Sequence, residues 1–312
     1  MPAKNKSDEI HLTRIYDAPV KAVWEAWTDP TKAAHWWGPR GFTITTHSKD
    51  LRPGGHWRYT MHGPDGTDYP NTTQYFEVER YARLVYDHGG SDDRPPLFRV
   101  TVTFADLDGK TKMDMTMKCA SAEAADETRR TVKKHSGEST WDRLAEYVGG
   151  KETFVINRSF GAPLDLMFEM WTNPKHFVKW LAPAGAEMRF IRADISPGGT
   201  SFSVITGQHG TMYSHVEYQK IEKPNLIVYK QQFCDENEKV SRHPLAPTWP
   251  ETMLTTVTFS PEGPAQTRVT VTWEPVGANA AELATFIQAK PGMTQGWTGS
   301  FDKLDSVLDP AV

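Results

Sequence analysis

The sequence predicts an α+β protein made of two copies of one domain, joined end to end. Two observations carry this prediction: a repeat with a period of 144 residues, and in each copy a helix pattern, several strand patterns and a closing helix. Helices at the chain ends of an antiparallel sheet are typical of the α+β class. The chain length of 312 residues also suits two domains of ordinary size.

The repeat is clearest at a glycine turn. Pro53-Gly54-Gly55 recurs as Pro197-Gly198-Gly199, and the same shift gives 18 identities in 56 aligned positions between Arg14 and Tyr69. Unrelated segments would share about three or four of these positions by composition alone. Because the period is far longer than a solenoid unit, it indicates a duplicated domain.

The domain boundary is predicted at Gly149-Gly150, where a helix pattern ends and a strand pattern begins. A glycine pair suits a helix stop followed by a short hinge. We therefore predict one domain at residues 8–149 and the other at 151–310.

The first helix of each copy carries an apolar stripe. Apolar residues at positions i, i+3, i+4 and i+7 predict a helix with one buried face. The stripe consists of Val20, Val23, Trp24 and Trp27 in the first copy, and of Leu164, Met167, Phe168 and Trp171 in the second.

Strand patterns and a closing helix follow. Residues His56 to His62 alternate, with Trp57, Tyr59 and Met61 on one face, and turn residues separate the other strand patterns at hairpin-like intervals. The closing helices are predicted over about 122–148 and near the end of the chain. Lys290-Pro291-Gly292 predicts a break or kink in the second one.

Composition excludes several classes of partner and fold. The net charge of −4 shows no basic footprint, so neither nucleic acid nor an anionic membrane is expected as a partner. Cys119 and Cys234, one in each half, cannot form a disulfide framework, which favours a reducing, cytoplasmic location. The polar first nine residues suggest no signal peptide, and no membrane-spanning segment is predicted.

Several motifs resemble a known family. Trp24 to Pro30, Trp36-Trp37-Gly38-Pro39 and Arg52-Pro53-Gly54-Gly55 are similar to the domain related to activators of the ninety-kilodalton heat-shock-protein ATPase, within the START-like, polyketide-cyclase-like superfamily. The resemblance covers nearly the whole chain, twice. It implies two tandem helix-grip domains, each a curved antiparallel sheet wrapped around a long C-terminal helix, often with a hydrophobic cavity between them.

The second copy departs from the motif at Trp180-Leu181-Ala182-Pro183, and the first lacks the closing Gly296-Trp297, having Ser136-Gly137 instead. Because members of this family have diverse roles, the resemblance specifies the fold far better than the function.

Candidate cavity residues are those that this fold would turn toward the space between sheet and helix, although an apolar stripe more often means core packing. Trp36, at a helix end beside a Gly-Pro turn, is the preferred ligand-contacting tryptophan. The full candidate set is Trp27, Trp36, Trp37, Trp57, Tyr59, Met61 and Tyr69 in the first domain, and Trp171, Trp180, Ser201, Ser203, Ile205, Tyr213 and Trp297 in the second.

The two cavities should differ. Trp57 and Tyr59 align with Ser201 and Ser203, which removes much side-chain volume and adds two hydroxyl groups. Interiors rarely leave such space empty without compensation. We therefore expect either a larger, more polar pocket in the second domain, or large residues such as Phe202 or Trp249 filling the space.

A long segment of the second copy, Cys234 to Glu251, has a shorter counterpart in the first. Loops of this length in compact domains are often functional. It is expected to be either a lid over the pocket or a contact to a partner.

No catalytic or metal-binding set stands out. His62, Asp65, His88 and His209 sit at strand ends or turns, but Asp65 is more simply a turn residue. Glu25 and Glu169 repeat in register off the apolar stripe, as a solvated helix face would. No histidine or cysteine spacing suits zinc, so no metal site or cofactor is predicted.

Three functions remain open on this sequence. The first is non-catalytic binding of a small hydrophobic or aromatic molecule between sheet and helix. The second is binding of a protein partner, including a chaperone-cofactor role, although the ATPase activators of the family carry an additional N-terminal domain. The third is a cyclase- or hydrolase-like enzyme.

Overall fold

The computed structural model of the chain describes residues 7–91, 94–134, 139–150, 152–183, 185–208 and 210–308. The chain divides into two compact units, Met1–Gly150 and Lys151–Val312. Each unit has a hydrophobic core of its own.

The first domain is one antiparallel sheet of seven strands with helices at both chain ends. The strands lie in the order β1-β7-β6-β5-β4-β3-β2, so the first and last strands in sequence are neighbours. The elements are β1 (Glu9–Tyr16), α1 (Val20–Thr28), α2 (Pro30–Ala33), β2 (Thr43–Lys49), β3 (His56–His62), β4 (Asp68–Glu79), β5 (Arg83–Gly90), β6 (Phe98–Leu107), β7 (Lys110–Lys118), α3 (Ala122–Lys134) and α4 (Ser139–Gly149).

The second domain repeats this order. Its seven strands are arranged β8-β14-β13-β12-β11-β10-β9. The elements are β8 (Phe154–Phe160), α5 (Leu164–Thr172), α6 (Pro174–Phe177), β9 (Ala186–Ala193), β10 (Thr200–Gly207), β11 (Gly210–Glu222), β12 (Leu226–Cys234), β13 (Thr252–Gly263), β14 (Gln266–Val276) and α7 (Ala280–Leu308). The predicted fold class, α+β with two tandem helix-grip domains, is confirmed.

The predicted helix stripe forms α1 and α5, and the same kind of cap begins the short helix after each. Asp29 accepts a hydrogen bond from the Thr31 backbone N–H at 2.8 Å, and Asn173 accepts one from Lys175 at 3.1 Å. Such side chains satisfy backbone N–H groups that the first helical turn leaves free. The proline that follows each cap lies in the first turn, where no N–H is needed.

The repeated glycine turn has a geometric cause. Gly54 and Gly198 both adopt a φ of +80°, which side chains with a Cβ rarely adopt. A Cβ on Gly55 would lie 2.2 Å from the Asp50 carbonyl oxygen, and one on Gly199 would lie 2.5 Å from that of Asp194. Both glycines are therefore required in each copy.

The closing helix of the second domain differs from expectation. The predicted break does not occur, because α7 continues through Pro291 as one helix of 29 residues. The carbonyl that Pro291 leaves unbonded belongs to Ile287, which is exposed, so water can take the place of the missing N–H. The Ser136-Gly137 pair of the first domain lies outside the described residues.

Candidate functional site

The inner face, as used here, is the side of each sheet that faces the closing helix. In the first domain it is filled by aromatic rings. The Trp57 and Tyr59 rings lie 4.3 Å apart, and Trp37 packs 4.9 Å from Trp57. The Trp37 indole N–H donates to the Tyr59 hydroxyl at 3.1 Å, and Trp57 donates to Thr46. This part of the interior is therefore packed and internally hydrogen-bonded.

The Trp36 indole lies in the core. Trp36 has no exposed surface, and its N–H donates to the Ala26 carbonyl at 2.9 Å. Trp180 repeats the arrangement with a bond of 3.0 Å to Met170. In each copy this tryptophan ties the short helix to the one before it, and a ligand would have to displace that packing to reach it.

A tryptophan from the closing helix stacks on the first helix in both copies. Trp27 and Trp141 are parallel within 18° at 5.5 Å, and Trp171 and Trp297 within 16° at 6.0 Å. The aromatic contact is thus present in the first domain although its sequence lacks the closing Gly-Trp. Trp141, in the stripe of the closing helix, supplies the ring there.

The inner face of the second domain is more open. The Ser201 hydroxyl lies 3.4 Å from that of Tyr218, and Ser203 is its inner-face neighbour on β10. Beside them Val216 and Tyr229 are half-buried, whereas Thr73 and Tyr86, in the same places of the first domain, are buried. The change from Trp and Tyr to Ser thus coincides with half-buried neighbours, while Ser201 and Ser203 are themselves buried.

One of the two proposed fillers lies elsewhere. Phe202 points away from Ser201 and Ser203 and stacks on Tyr213 at 5.8 Å, on the opposite side of the sheet. Trp249 does lie in the second core, 5.8 Å from Phe286 of α7. The interior is therefore partly filled from the loop side.

Two tyrosines that align in sequence differ in position. Tyr69 pairs with Met61 on the inner face and is 39% exposed, close to Phe42. Tyr213 pairs with Val204, because Met212 takes the place opposite Ile205. The strands of the two copies differ in register by one residue, and such a shift turns a side chain to the other face. Tyr213 therefore lies on the sheet face opposite to Ser201 and Ser203.

The segment from Cys234 to Glu251 is fastened to the start of α7. Arg242 donates to the Glu282 carboxylate at 2.5 Å, and the Thr248 and Thr285 hydroxyls are 2.7 Å apart. His243 packs between Phe233 and Trp249, and burial lowers the pKa of its imidazole. The contacts fit the lid interpretation, since the segment covers one end of the helix–sheet space.

A cavity of about 350 Å³ opens where this segment meets β11 and β12. Its lining combines Met212 and Phe233 of the inner face with Arg242 and Pro244 of the loop. Tyr213 lines it from the other side of the sheet. A second cavity, of about 210 Å³, lies in the first domain and is lined by His11 and several threonines.

The candidate acids and bases do not converge. His62 binds Asp68 at 2.6 Å at the surface, and burial lowers the pKa of His88 to about 4, so this imidazole is neutral. Asp65 accepts from the Thr67 backbone, as a turn residue does. Glu25 binds Lys32 on the helix surface. His209 lies outside the described residues, and within the described ranges no three potential metal ligands cluster.

Sequence reasoning missed two basic residues of the closing helices. Arg143 donates to the carbonyls of Gly38 and Pro39 at 2.8 and 2.9 Å, and Lys303 donates to those of Ala182 and Pro183. The match of Asp142-Arg143-Leu144 to Asp302-Lys303-Leu304 was the available signal. Both side chains fasten the closing helix to the loop after the short helix.

The architecture defines the class: two helix-grip domains in tandem, each with a closing helix over the inner face of a seven-stranded sheet. The chain belongs to the family described as activator of Hsp90 ATPase homolog 1-like protein, whose sequence model matches residues 17–149 and 161–309. No curated protein matches the chain.

The solved structures that the chain is similar to cover either about half of it or nearly all of it. Protein Ms6760 from Mycobacterium smegmatis is 21% identical, with a TM-score of 0.45, over 52% of this chain and 93% of that one. A protein from Arthrobacter aurescens is 25% identical, with a TM-score of 0.43, over 47% and 89%. The di-domain ARO/CYC BexL of the BE-7585A biosynthetic pathway is 15% identical, with a TM-score of 0.38, over 96% and 97%.

Within the described part of the chain, none of the helices has the length and apolar character needed to cross a bilayer.

Proposed function

We propose that the second domain binds a small, ring-containing apolar molecule on the inner face of its sheet. The observation that carries the proposal is the exchange of Trp57 and Tyr59 for Ser201 and Ser203, accompanied by half-buried Val216 and Tyr229. Ligand pockets are mostly apolar with a few polar groups that fix orientation. The serine hydroxyls and the amide of Gln231, on β12, supply such groups.

The first domain serves a different purpose in this proposal. Its inner face is occupied by Trp37, Trp57 and Tyr59, which are all nearly completely buried. It therefore acts as the stable, filled member of the pair, and binding is confined to the second domain.

In this proposal the segment from Cys234 to Glu251 is the lid, and the ligand enters and leaves at its edge. Arg242, Thr248 and Trp249 hold it on α7, and the cavity of about 350 Å³ lies at its edge. The Glu282 carboxylate that binds Arg242 also accepts a hydrogen bond from the Asn279 backbone N–H at 3.0 Å. The ion pair is therefore fixed to the beginning of α7.

The test is binding of tetralin, a two-ring hydrocarbon, to the full chain, followed by ligand-detected NMR. Ser203→Tyr, which introduces the residue of the first copy, should abolish binding and leave the free energy of unfolding within about 1 kcal/mol, because the added ring enters existing space. Thr206→Tyr, an exposed position on the opposite face of the same strand, is the matched control and should bind normally.

The absence of tetralin binding to the unaltered chain would contradict the proposal. So would a Ser203→Tyr variant that unfolds, since a packed interior cannot accept the ring. In that case binding of a protein partner becomes the favoured function, and capture of a partner by the folded chain would be the next measurement.

A further inference from the structure

Two indole N–H groups in the interior of the second domain have no hydrogen-bond partner. They belong to Trp171 on α5 and Trp273 on β14. Among the tryptophans of the described residues, these two have a buried indole N–H without a hydrogen-bond partner. Trp171 is only 3% exposed. Buried polar groups in folded proteins are almost always paired, so each exception needs an explanation.

Both indoles contact the same ring of the closing helix. Trp297 stacks on Trp171 at 6.0 Å and meets Trp273 edge-on at 5.7 Å. The two unpaired donors therefore belong to one aromatic cluster beneath α7. The Ser201 and Ser203 hydroxyls lie on the same sheet face, on β10, which β11, β12 and β13 separate from β14.

The first domain shows what pairing looks like in this fold. The Trp27 N–H, at the position of Trp171, bonds the Tyr86 hydroxyl. The second domain keeps the tyrosine as Tyr229, yet the Trp171 N–H has no hydrogen-bond partner there. The unpaired donor is thus a property of the second copy, the copy whose inner face is open.

From this arrangement we infer that the ligand is a ring compound that presents an acceptor oxygen, a carbonyl or an ether, to the N–H groups of Trp171 and Trp273. An indole N–H can only donate, so its partner must be an acceptor. The surrounding rings of Trp297 and Phe301 favour a flat apolar body for the rest of the molecule. The inference rests on the proposed function and narrows its ligand to a chemical class.

The test compares two probes that differ in one carbonyl, 1-tetralone and tetralin, on the full chain by isothermal titration calorimetry and ligand-detected NMR. Tetralone should bind at least tenfold more tightly, although the purely apolar tetralin is the more hydrophobic of the two and a non-specific site would prefer it. Trp273→Phe should reduce this preference to threefold or less. Trp24→Phe, which places in the first domain the residue that the second copy has there, should keep it.

Equal affinity for the two probes, or a preference for tetralin, would overturn the inference and leave the proposed function standing, since a buried water would then satisfy the indoles. Binding of neither probe would instead remove the proposed function itself. If Trp273→Phe does not fold, the ratio of the affinities of the unaltered chain for 1-tetralone and tetralin decides whether the inference holds.

Discussion

Arg143 and Lys303 hold the same position in the two closing helices, and both donate to main-chain carbonyls of the loop that follows the short helix. The bonds to the equivalent prolines Pro39 and Pro183 measure 2.9 and 3.0 Å. Arg143 also reaches the carbonyls of Gly38 and Phe42 at 2.8 and 3.1 Å. The closing helix is therefore fastened by a half-buried cation in each copy, with a larger set of bonds in the first.

Removing that cation should loosen the first domain. Arg143→Met leaves several carbonyls without a donor and should lower the free energy of unfolding by about 3 kcal/mol, since bonds from charged donors contribute about 1.5–3 kcal/mol. Arg143→Lys, which introduces the residue of the second copy, should retain most of the free energy of unfolding. Urea denaturation and hydrogen exchange of residues 36–42 measure both. Equal losses for the two variants would show that the cation is unimportant.

The filled interior of the first domain predicts a large effect of one substitution. Tyr59→Ser, which introduces the residue of the second copy, should lower the free energy of unfolding by about 3–5 kcal/mol, because it leaves a cavity and strips the Trp37 N–H of its acceptor. Tyr69→Ser, at an exposed position of the next strand, is the control and should cost less than about 1 kcal/mol. A mild effect of Tyr59→Ser would mean that the first interior is not tightly packed.

Much of the fold could be predicted because the chain contains it twice. The stripe of α1 returns in α5, and the glycine turn returns because Gly55 and Gly199 both touch a preceding carbonyl. The departure in α7 could not be predicted, since Pro291 is tolerated only where the carbonyl before it is open to water.

The site was less predictable than the fold. Shifting the sequence by 144 residues aligns Tyr69 with Tyr213, but a one-residue change of register puts them on opposite faces. No local sequence pattern predicts the ion pair between Arg242 and Glu282, which are 40 positions apart. Side-chain pairing across such separations becomes visible only in three dimensions.

Lys49 gives a prediction about pH. Its amino group lies 3.8 Å above the Trp57 ring and donates to the Trp27 carbonyl, and burial lowers its pKa from 10.5 to about 7, against the opposing charge of Asp29. Between pH 7 and 10.5 the unfolded chain therefore binds a proton that the folded chain lacks. The contribution of this group to the free energy of unfolding rises with pH in that window.

The measurement is an NMR titration of the reductively ¹³C-methylated chain, in which one dimethyl-lysine should titrate near pH 7. Lys49→Met should remove that signal and the associated rise in stability between pH 7 and 10.5. A Lys49 signal that titrates near pH 10 would contradict the buried environment.

The loop after β12 predicts a change in thiol reactivity. Glu238 accepts from His215 at 2.7 Å and from Arg192 at 2.9 Å, and these bonds lower the pKa of its carboxyl to about 2. Burial, with the charges of Glu238 and Asp235, raises the pKa of the Cys234 thiol to about 11. Glu238→Gln should release the loop and increase the rate at which Cys234 reacts with a disulfide reagent about tenfold.

Cys119, buried in the first domain, is the internal control for this rate and should not change. The carboxylate bonds of Glu238 should stabilise the loop at all pH values above the ordinary pKa of the group and should fail only as the pH falls toward 2. An unchanged Cys234 rate in Glu238→Gln would show that other contacts hold the loop.

The accessible inner face of the second domain is tested most directly by intermolecular NOEs between tetralin and the methyl groups of the full chain. The account predicts cross-peaks to Val216 of β11 and Met293 of α7, both of which pack at the edge of the second core. It predicts none to Val102 or Met113, which are buried in the first core. Cross-peaks to the first core instead, or only to exposed residues such as Leu245, would contradict it.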